Sequence, residues 1–253
     1  MLYSLFSTEI GYNLNHLGLL GVYVLGENAL LFPIMLALLA VSAFAGYLLG
    51  SINSAVMISK KLCGEDVRTY GSGNAGFTNM MRIYGGKAAW LTLLFDFLKT
   101  AAGVMLGWVL YGYMGAVTAG AAVIVGHIYP MFFSFRGGKG IVCIATVVLL
   151  LDWRIFLILF AVFALSLVTT KYVSLGSVLC AATLPIFMNR MYHTATIENA
   201  RLKAFATTVT LIVVVIIIIK HVPNIKRITS GTESKFEFKR LKKTSSDGDL
   251  KND

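Results

Sequence analysis

The sequence predicts an all-α fold, a polytopic integral membrane protein of about seven transmembrane helices. Three observations carry this. The 253 residues are 57% hydrophobic and 13% charged, and the mean hydropathy of +0.76 lies far from that of a soluble domain. Apolar runs of membrane-spanning character recur along most of the chain. Those runs do not alternate as barrel strands must, since Leu211 through Ile219 is apolar throughout. Backbone in lipid has to satisfy its own hydrogen bonds, and a helix does so within one segment.

The expected spans are Leu31–Ser59, Ala88–Tyr111, Gly115–Phe135, Ile141–Leu151, Ile155–Thr170, Val173–Met188 and Ala204–Ile219. The fourth is too short to cross a core of roughly 30 Å unaided, so it is either a short helix in a thinned region or a half-helix. Charge tests the choice. If all seven cross, the loop 60–87, the loop 136–139, Lys171 and everything from Lys220 onward share one side. That side then holds 17 of the 22 Lys and Arg residues; Arg154, Arg190, Arg201 and Lys203 lie opposite, and Lys99 is inside a span. The positive-inside rule makes the rich side cytoplasmic, with the N-terminus outside. Six crossings would put the basic tail opposite the loop 60–87, so seven are favoured.

Residues 1–30 read as a preface, compatible with an interfacial helix, residues 31–231 as the membrane domain, and 232–253 as a solvated basic and polar tail. The net charge of +10 fits topology and attraction to anionic lipid, and calls for no nucleic acid. Cys63, Cys143 and Cys180 are scattered, so neither a disulfide framework nor a zinc site is expected. No secretory signal peptide is expected, because the start lacks a basic region and Glu27 and Asn28 interrupt the early apolar stretch. Ser42, Gly46, Gly50 and Ser54 recur at every fourth position, a small-residue stripe for close helix packing.

Against this apolar background stands a polar loop, Gly71 to Arg82. Gly71, Gly73 and Gly76 free the backbone to turn N–H groups toward one point, a nest for an anion. Ser72, Asn74, Thr78 and Asn79 add neutral donors, and Arg82 adds a fork suited to phosphate. A second loop of the same character is Arg136-Gly137-Gly138-Lys139-Gly140. Within the spans, Asp96 and Lys99 are three apart on one helix face, and His127 precedes the second loop. Charges at such depth usually face the bundle interior. An internal ion pair and a cavity-lining role weigh equally for Asp96 and Lys99.

Several simpler motifs are excluded. Gly71 to Gly76 fits a dinucleotide fingerprint in letters, but no apolar strand precedes it. Gly137 to Gly140 is no Walker loop, because no Ser or Thr follows Lys139. No nucleophile elbow is present. His193 and Glu198 have the spacing of an acyltransferase His–acid pair, but they fall on the outer loop of this topology.

The chain resembles the bacterial acyl-phosphate:glycerol-3-phosphate acyltransferases of the PlsY type, from about Leu36 to Phe236. The resemblance is carried by Tyr47 to Ile52, Asp66-Val67-Arg68, Gly71 to Asn74, Thr78-Asn79, Arg82, Asp96 to Lys99, Gly126 to Pro130, Phe135 to Gly140, His221, Asn224-Ile225, Arg227 and Gly231 to Glu233. It departs at Phe77, Thr100, Ile141 to Cys143, Lys220 and Pro223. The resemblance implies a seven-span fold with a cytoplasmic site. The implied reaction takes a fatty acyl group from acyl phosphate to glycerol 3-phosphate, giving lysophosphatidic acid and phosphate, an early step of bacterial phospholipid synthesis in the cell membrane. The implied partners are those substrates, membrane lipid and the enzyme that supplies acyl phosphate; no metal or other cofactor is implied.

Both substrates carry phosphate, so two anion nests and several cations suit the reaction. Ser72, Asn79, Lys139 and His221 are the expected catalytic residues. Gly71, Gly73, Asn74, Thr78, Arg82, Gly137, Gly138 and Asn224 are the expected phosphate-binding set. Asp96, Lys99, His127 and Glu233 are expected to support them. Asn79 or a backbone N–H near Gly138 would polarise the acyl carbonyl. His221, His127 or the leaving phosphate would accept the proton. The competing reading is an organophosphate or anion transporter, which needs a polar route to both faces and favours inverted repeats. A metal-dependent lipid-phosphate transferase would need an aspartate cluster.

Overall fold

A computed structural model describes residues 32–191 and 200–236. The expected preface 1–30 and most of the tail, 237–253, lie outside the described residues. Within them the regular elements are helices: α1 (Phe32–Gly50), α2 (Ser54–Cys63), a 3-10 turn (Val67–Thr69), α3 (Phe77–Tyr84), α4 (Gly86–Ile128), a second 3-10 turn (Met131–Phe133), α5 (Ile141–Leu151), α6 (Trp153–Thr170), α7 (Val173–Met191) and α8 (Ala200–Thr229). Among the described residues, four helical stretches are long and apolar enough to cross a membrane: Pro33–Cys63, Gly86–Phe133, Trp153–Thr170 and Leu202–Thr229. Ile141–Leu151 and Val173–Met188 are shorter apolar helices. The expectation of an all-helical, multi-pass membrane protein holds.

Two expected boundaries are corrected. The first helix does not run on to Ser59, although the apolar stretch continues to Cys63. The helix stops at Gly50, and Ser51 to Asn53 turn the chain into α2, where the Asn53 side chain accepts from Val56 N–H as N-cap. Ser54 therefore opens α2 instead of continuing the stripe on α1. The third span ends at Ile128, not Phe135, because Pro130 removes a donor and the chain tightens into the Met131–Phe133 turn.

At 43 residues, α4 would be roughly 65 Å long if straight, about twice a bilayer core. It is not straight. Tyr111 and Gly112 have non-helical dihedrals, and the helix folds back there into two antiparallel arms. Gly107 and Gly115 face each other so closely that a Cβ on either would strike the other's carbonyl. The arms correspond to the second and third expected spans.

The first helix packs on the returning arm of α4 in the same manner. A Cβ on Gly46 would strike Ala119 O, one on Gly50 would strike Val123 O, and one on Gly126 would strike Tyr47 O. Without a hydrophobic drive between helices in lipid, such backbone approach is how packing energy is gained. The largest core joins the returning arm to α5, α6, α7 and α8 through Val123, Ile124, Val147, Ile155, Leu184, Ala206 and Ile217. A smaller core, Ala55, Val56, Val67, Ala75, Met80, Ala88 and Ala89, seats the first glycine loop on α2 to α4.

Helix direction alternates through the bundle, so the segments 64–85, 129–140, 171–174 and 221–236 meet at one end. Arg68 bonds Phe133 O and Arg136 O, Lys139 bonds Asn224, and Phe236 N–H donates to Lys171 O. These are the segments that the charge count assigns to one side.

The α1–α4 contact yields a stability prediction. Gly50→Val should destabilise the protein by about 1–3 kcal/mol through overpacking, read as a lower melting temperature in detergent. Gly86→Ala should be near neutral, since the nearest atom to a Cβ there is Trp90 Cδ1 at 3.9 Å.

Candidate functional site

The site end is built from two glycine loops locked together. Gly71 sits at φ +61°, in the left-handed region, and a Cβ there would also strike the Asn79 side chain. Asn79 itself is 1% exposed. Its Oδ1 accepts from Ser72 N–H at 3.1 Å, and its Nδ2 donates to Val67 O at 3.2 Å and Tyr70 O at 3.0 Å. Both amide hydrogens are thus committed within the protein, and none is left to polarise a carbonyl. The expected oxyanion role of Asn79 gives way to that of a clamp shaping the loop.

The second loop rests on His127. Gly138 N–H donates to His127 O at 3.1 Å and Gly137 N–H to Ile128 O at 3.2 Å. The Gly138 N–H is therefore also unavailable to a substrate carbonyl. Gly138 has no room for a side chain: a Cβ would strike His127 Nε2 on one side and lie 2.8 Å from Ala75 O of the first loop on the other. The two loops touch here.

Arg68 ties them from the outside. Its Nε and Nη2 grip Asp66 at 3.0 and 2.8 Å, and its Nη1 donates to Phe133 O at 2.7 Å and Arg136 O at 3.1 Å. The guanidinium beside Asp66 holds that carboxyl below its ordinary range. Sequence reading passed over this clamp. The only local signal is the two-residue spacing of Asp66 and Arg68, and the carbonyls they reach are far along the chain.

The cationic centre lies where α5, α7, α8 and the segment after α8 converge. Lys139 Nζ donates to Asn224 Oδ1 at 2.6 Å, and Asn224 Nδ2 donates to Glu233 Oε1 at 2.6 Å. Ser174 Oγ reaches the same oxygen at 2.7 Å, and Arg227 Nε holds Glu233 Oε2 at 2.7 Å. Burial opposes the charge of Glu233, but its donors Asn224, Ser174 and Arg227 prevail and hold its carboxyl below the usual value. Burial pushes Lys139 down to about 8; Glu233 opposes this, while Arg227 and Arg82 add to it. Arg82, exposed at the end of α3, is near enough to Lys139 for its charge to act on it. His221 is 1% exposed, and its Nδ1 lies 2.8 Å from Ile217 O. A carbonyl only accepts, so Nδ1 carries the hydrogen and the Nε2 lone pair is free to take a proton.

Of the remaining expected residues, Ser72 and Gly73 lie exposed in the first loop, with Asn74 and Thr78 half-buried. Asp96, Lys99 and His127 come together inside the bundle: Lys99 Nζ is 2.8 Å from Asp96 Oδ1 and 3.1 Å from His127 Nδ1. They lie behind the loops and do not join Lys139, Arg82 and Arg227. Ser174 and Arg227, which no sequence pattern singled out as site residues, belong to the centre through Glu233.

A multi-pass helical bundle with paired glycine loops and converging cations at one end defines a membrane protein suited to phosphate-bearing ligands. Residues 34–231 match the family model described as Glycerol-3-phosphate acyltransferase. Glycerol-3-phosphate acyltransferase of Thermoanaerobacter sp. (strain X514) is 41% identical over 194 residues, covering 77% of this chain and 93% of that protein. Glycerol-3-phosphate acyltransferase 2 of Bacillus anthracis is 39% identical over 189 residues, covering 75% and 94%. The crystal structure of PlsY (YgiH), an integral membrane glycerol 3-phosphate acyltransferase in its glycerol 3-phosphate form, superposes with a TM-score of 0.70 at 30% identity, over 79% of this chain and 96% of that one. The chain belongs to the glycerol-3-phosphate acyltransferase family of integral membrane enzymes.

The loop clamp gives a direct test. Arg68→Met should free the second loop, and trypsin should cut after exposed Arg136 several-fold faster than in the unaltered protein.

Proposed function

We propose that the protein transfers a fatty acyl group from acyl phosphate to glycerol 3-phosphate, at the cytoplasmic face of a bacterial cell membrane. An ester bond forms between a glycerol hydroxyl oxygen and the acyl carbon. The bond from that carbon to the phosphate oxygen breaks, releasing inorganic phosphate and 1-acylglycerol 3-phosphate. The proton passes to His221 Nε2 or to the departing phosphate. Acyl phosphate is already activated, so the chemistry requires mainly positioning and charge stabilisation. An enzyme that makes acyl phosphate is the implied upstream partner.

The observation that carries this reading is the hydrogen-bonded seating of Lys139 and Arg227 on Asn224 and Glu233, at the end of the bundle where the two glycine loops touch. In it, Lys139 and Arg82 hold the phosphates, with Ser72, Asn74, Thr78 and the loop backbone as neutral donors. Asn224 and Glu233 hold Lys139 in place. The PlsY structures named for their glycerol 3-phosphate and lysophosphatidic acid forms support the acceptor and the product. The one-sided grouping of cations speaks against a transport path, which needs polar lining toward both faces.

Purified protein should form product from acyl phosphate and glycerol 3-phosphate without added metal. Product from acyl-CoA or acyl carrier protein thioesters alone would overturn the donor. Lys139→Met and Arg82→Met should each lower turnover by about 100-fold or more, as expected for charged groups at a developing charge, while the protein stays monodisperse. The pH profile follows from Lys139. Its pKa lies near 8, so the cation that binds phosphate is lost as pH rises through that value. The kcat/KM for glycerol 3-phosphate should therefore fall above about pH 8.

A further inference from the structure

We infer that Lys99 is a positioning residue for acyl transfer, fixing His127 from inside the bundle and, through His127, the glycine loop that carries Lys139. The inference rests on Lys139 acting in the reaction as proposed above.

An ammonium has three hydrogens. Those of Lys99 meet Ile52 O at 2.6 Å, His127 Nδ1 at 3.1 Å and Gly50 O at 3.2 Å. Asp96 Oδ1 lies 2.8 Å from Nζ as its counter-charge, and 3.5 Å from His127 Nδ1. The two carbonyls belong to the end of α1 and the turn after it, where a helix leaves acceptors unsatisfied. Lys99 thus caps α1 from a different helix and is 8% exposed.

Lys99 Nζ and His127 Nδ1 are 3.1 Å apart and an ammonium only donates, so in this contact Nδ1 is the acceptor; Asp96 Oδ1, 3.5 Å from the same nitrogen, is its other polar neighbour. That bond fixes the plane of the ring. Its Nε2 edge is the wall against which Gly138 packs, and Gly138 N–H is bonded to His127 O. Lys139 is the next residue. The path from α1 to Lys139 is thus contiguous, and α1 itself is pinned to α4 by Gly46, Gly50 and Gly126. A structural ion pair would need only Asp96 and Lys99; the hydrogens directed at α1 and at His127 are what a positioning role requires.

The test compares Lys99→Met with the double variant Asp96→Asn/Lys99→Met, which leaves no unpaired buried carboxylate if the single variant fails to fold. The readout is kcat/KM against pH on monodisperse protein. The groups facing Lys139 are Asn224, His221, Arg227 and Glu233 from α8 and beyond, and Arg82 from α3. The double variant should lose about 10–100-fold in kcat/KM, the scale of an ångström's misplacement. Its alkaline limb should also move upward from about pH 8 as Lys139 leaves its buried seat. Trypsin should cut after Arg136 several-fold faster. Unchanged cutting, or a loss that only tracks the amount of folded protein with the limb in place, overturns the positioning role. Lys139→Arg separates the parent reading. Its limb should vanish, and a limb that persists there sinks the role of Lys139, leaving the proteolysis result to decide that of Lys99.

Discussion

The close backbone contact between α1 and the returning arm of α4 sets the position of everything at the site end. Gly46, Gly50 and Gly126 allow it, and no larger residue could stand in their place without moving a helix. Because the helices lie this near, the end of α1 falls beside Lys99 and His127. Were the axes further apart, the ammonium could not reach the α1 carbonyls, and a buried charge would lack the partners that make it tolerable. The glycines and the buried polar trio are thus one device, in which packing distance makes the hydrogen bonds possible.

Electrostatics divides the molecule in a matching way. Behind the loops, Asp96 neutralises Lys99 and that pair serves architecture. In front of them, among the described residues, Lys139, Arg82 and Arg227 share one nearby carboxylate, Glu233, which is already held by Asn224, Ser174 and Arg227. The front is left with surplus positive charge in a partly buried setting, where Coulomb attraction is stronger than in water. A polar site held by fixed donors also has little reorganisation to undergo when charge shifts during reaction.

Much of the fold was legible because hydropathy and length govern a membrane bundle. The runs around Leu211 to Ile219 and Ile155 to Thr170 admit few alternatives. The stop of α1 at Gly50 was not legible, because Gly-Ser-Ile-Asn is small and apolar enough to read as more of the same span, and only the Asn53 cap marks the turn. At the site, glycine content and cation type are what single out Lys139 and Arg82 as the proposed phosphate ligands. Asn79 was misread because an amide looks the same in sequence whether it faces a ligand or a neighbouring carbonyl. The Arg68 clamp and the Lys139–Asn224 bond span 65 to 85 residues, a separation at which no local periodicity reports on contact.

Gly138 carries a consequence for how the chain can vary. It is enclosed by the His127 imidazole on one side and Ala75 O on the other. No single substitution at position 138 can be accepted with both walls in place, and shrinking His127 first would remove the acceptor that Lys99 holds. The two positions are therefore mutationally coupled. A side chain at position 138 requires a smaller residue at position 127, another way to satisfy Lys99, and a shift of the first loop that withdraws Ala75 O.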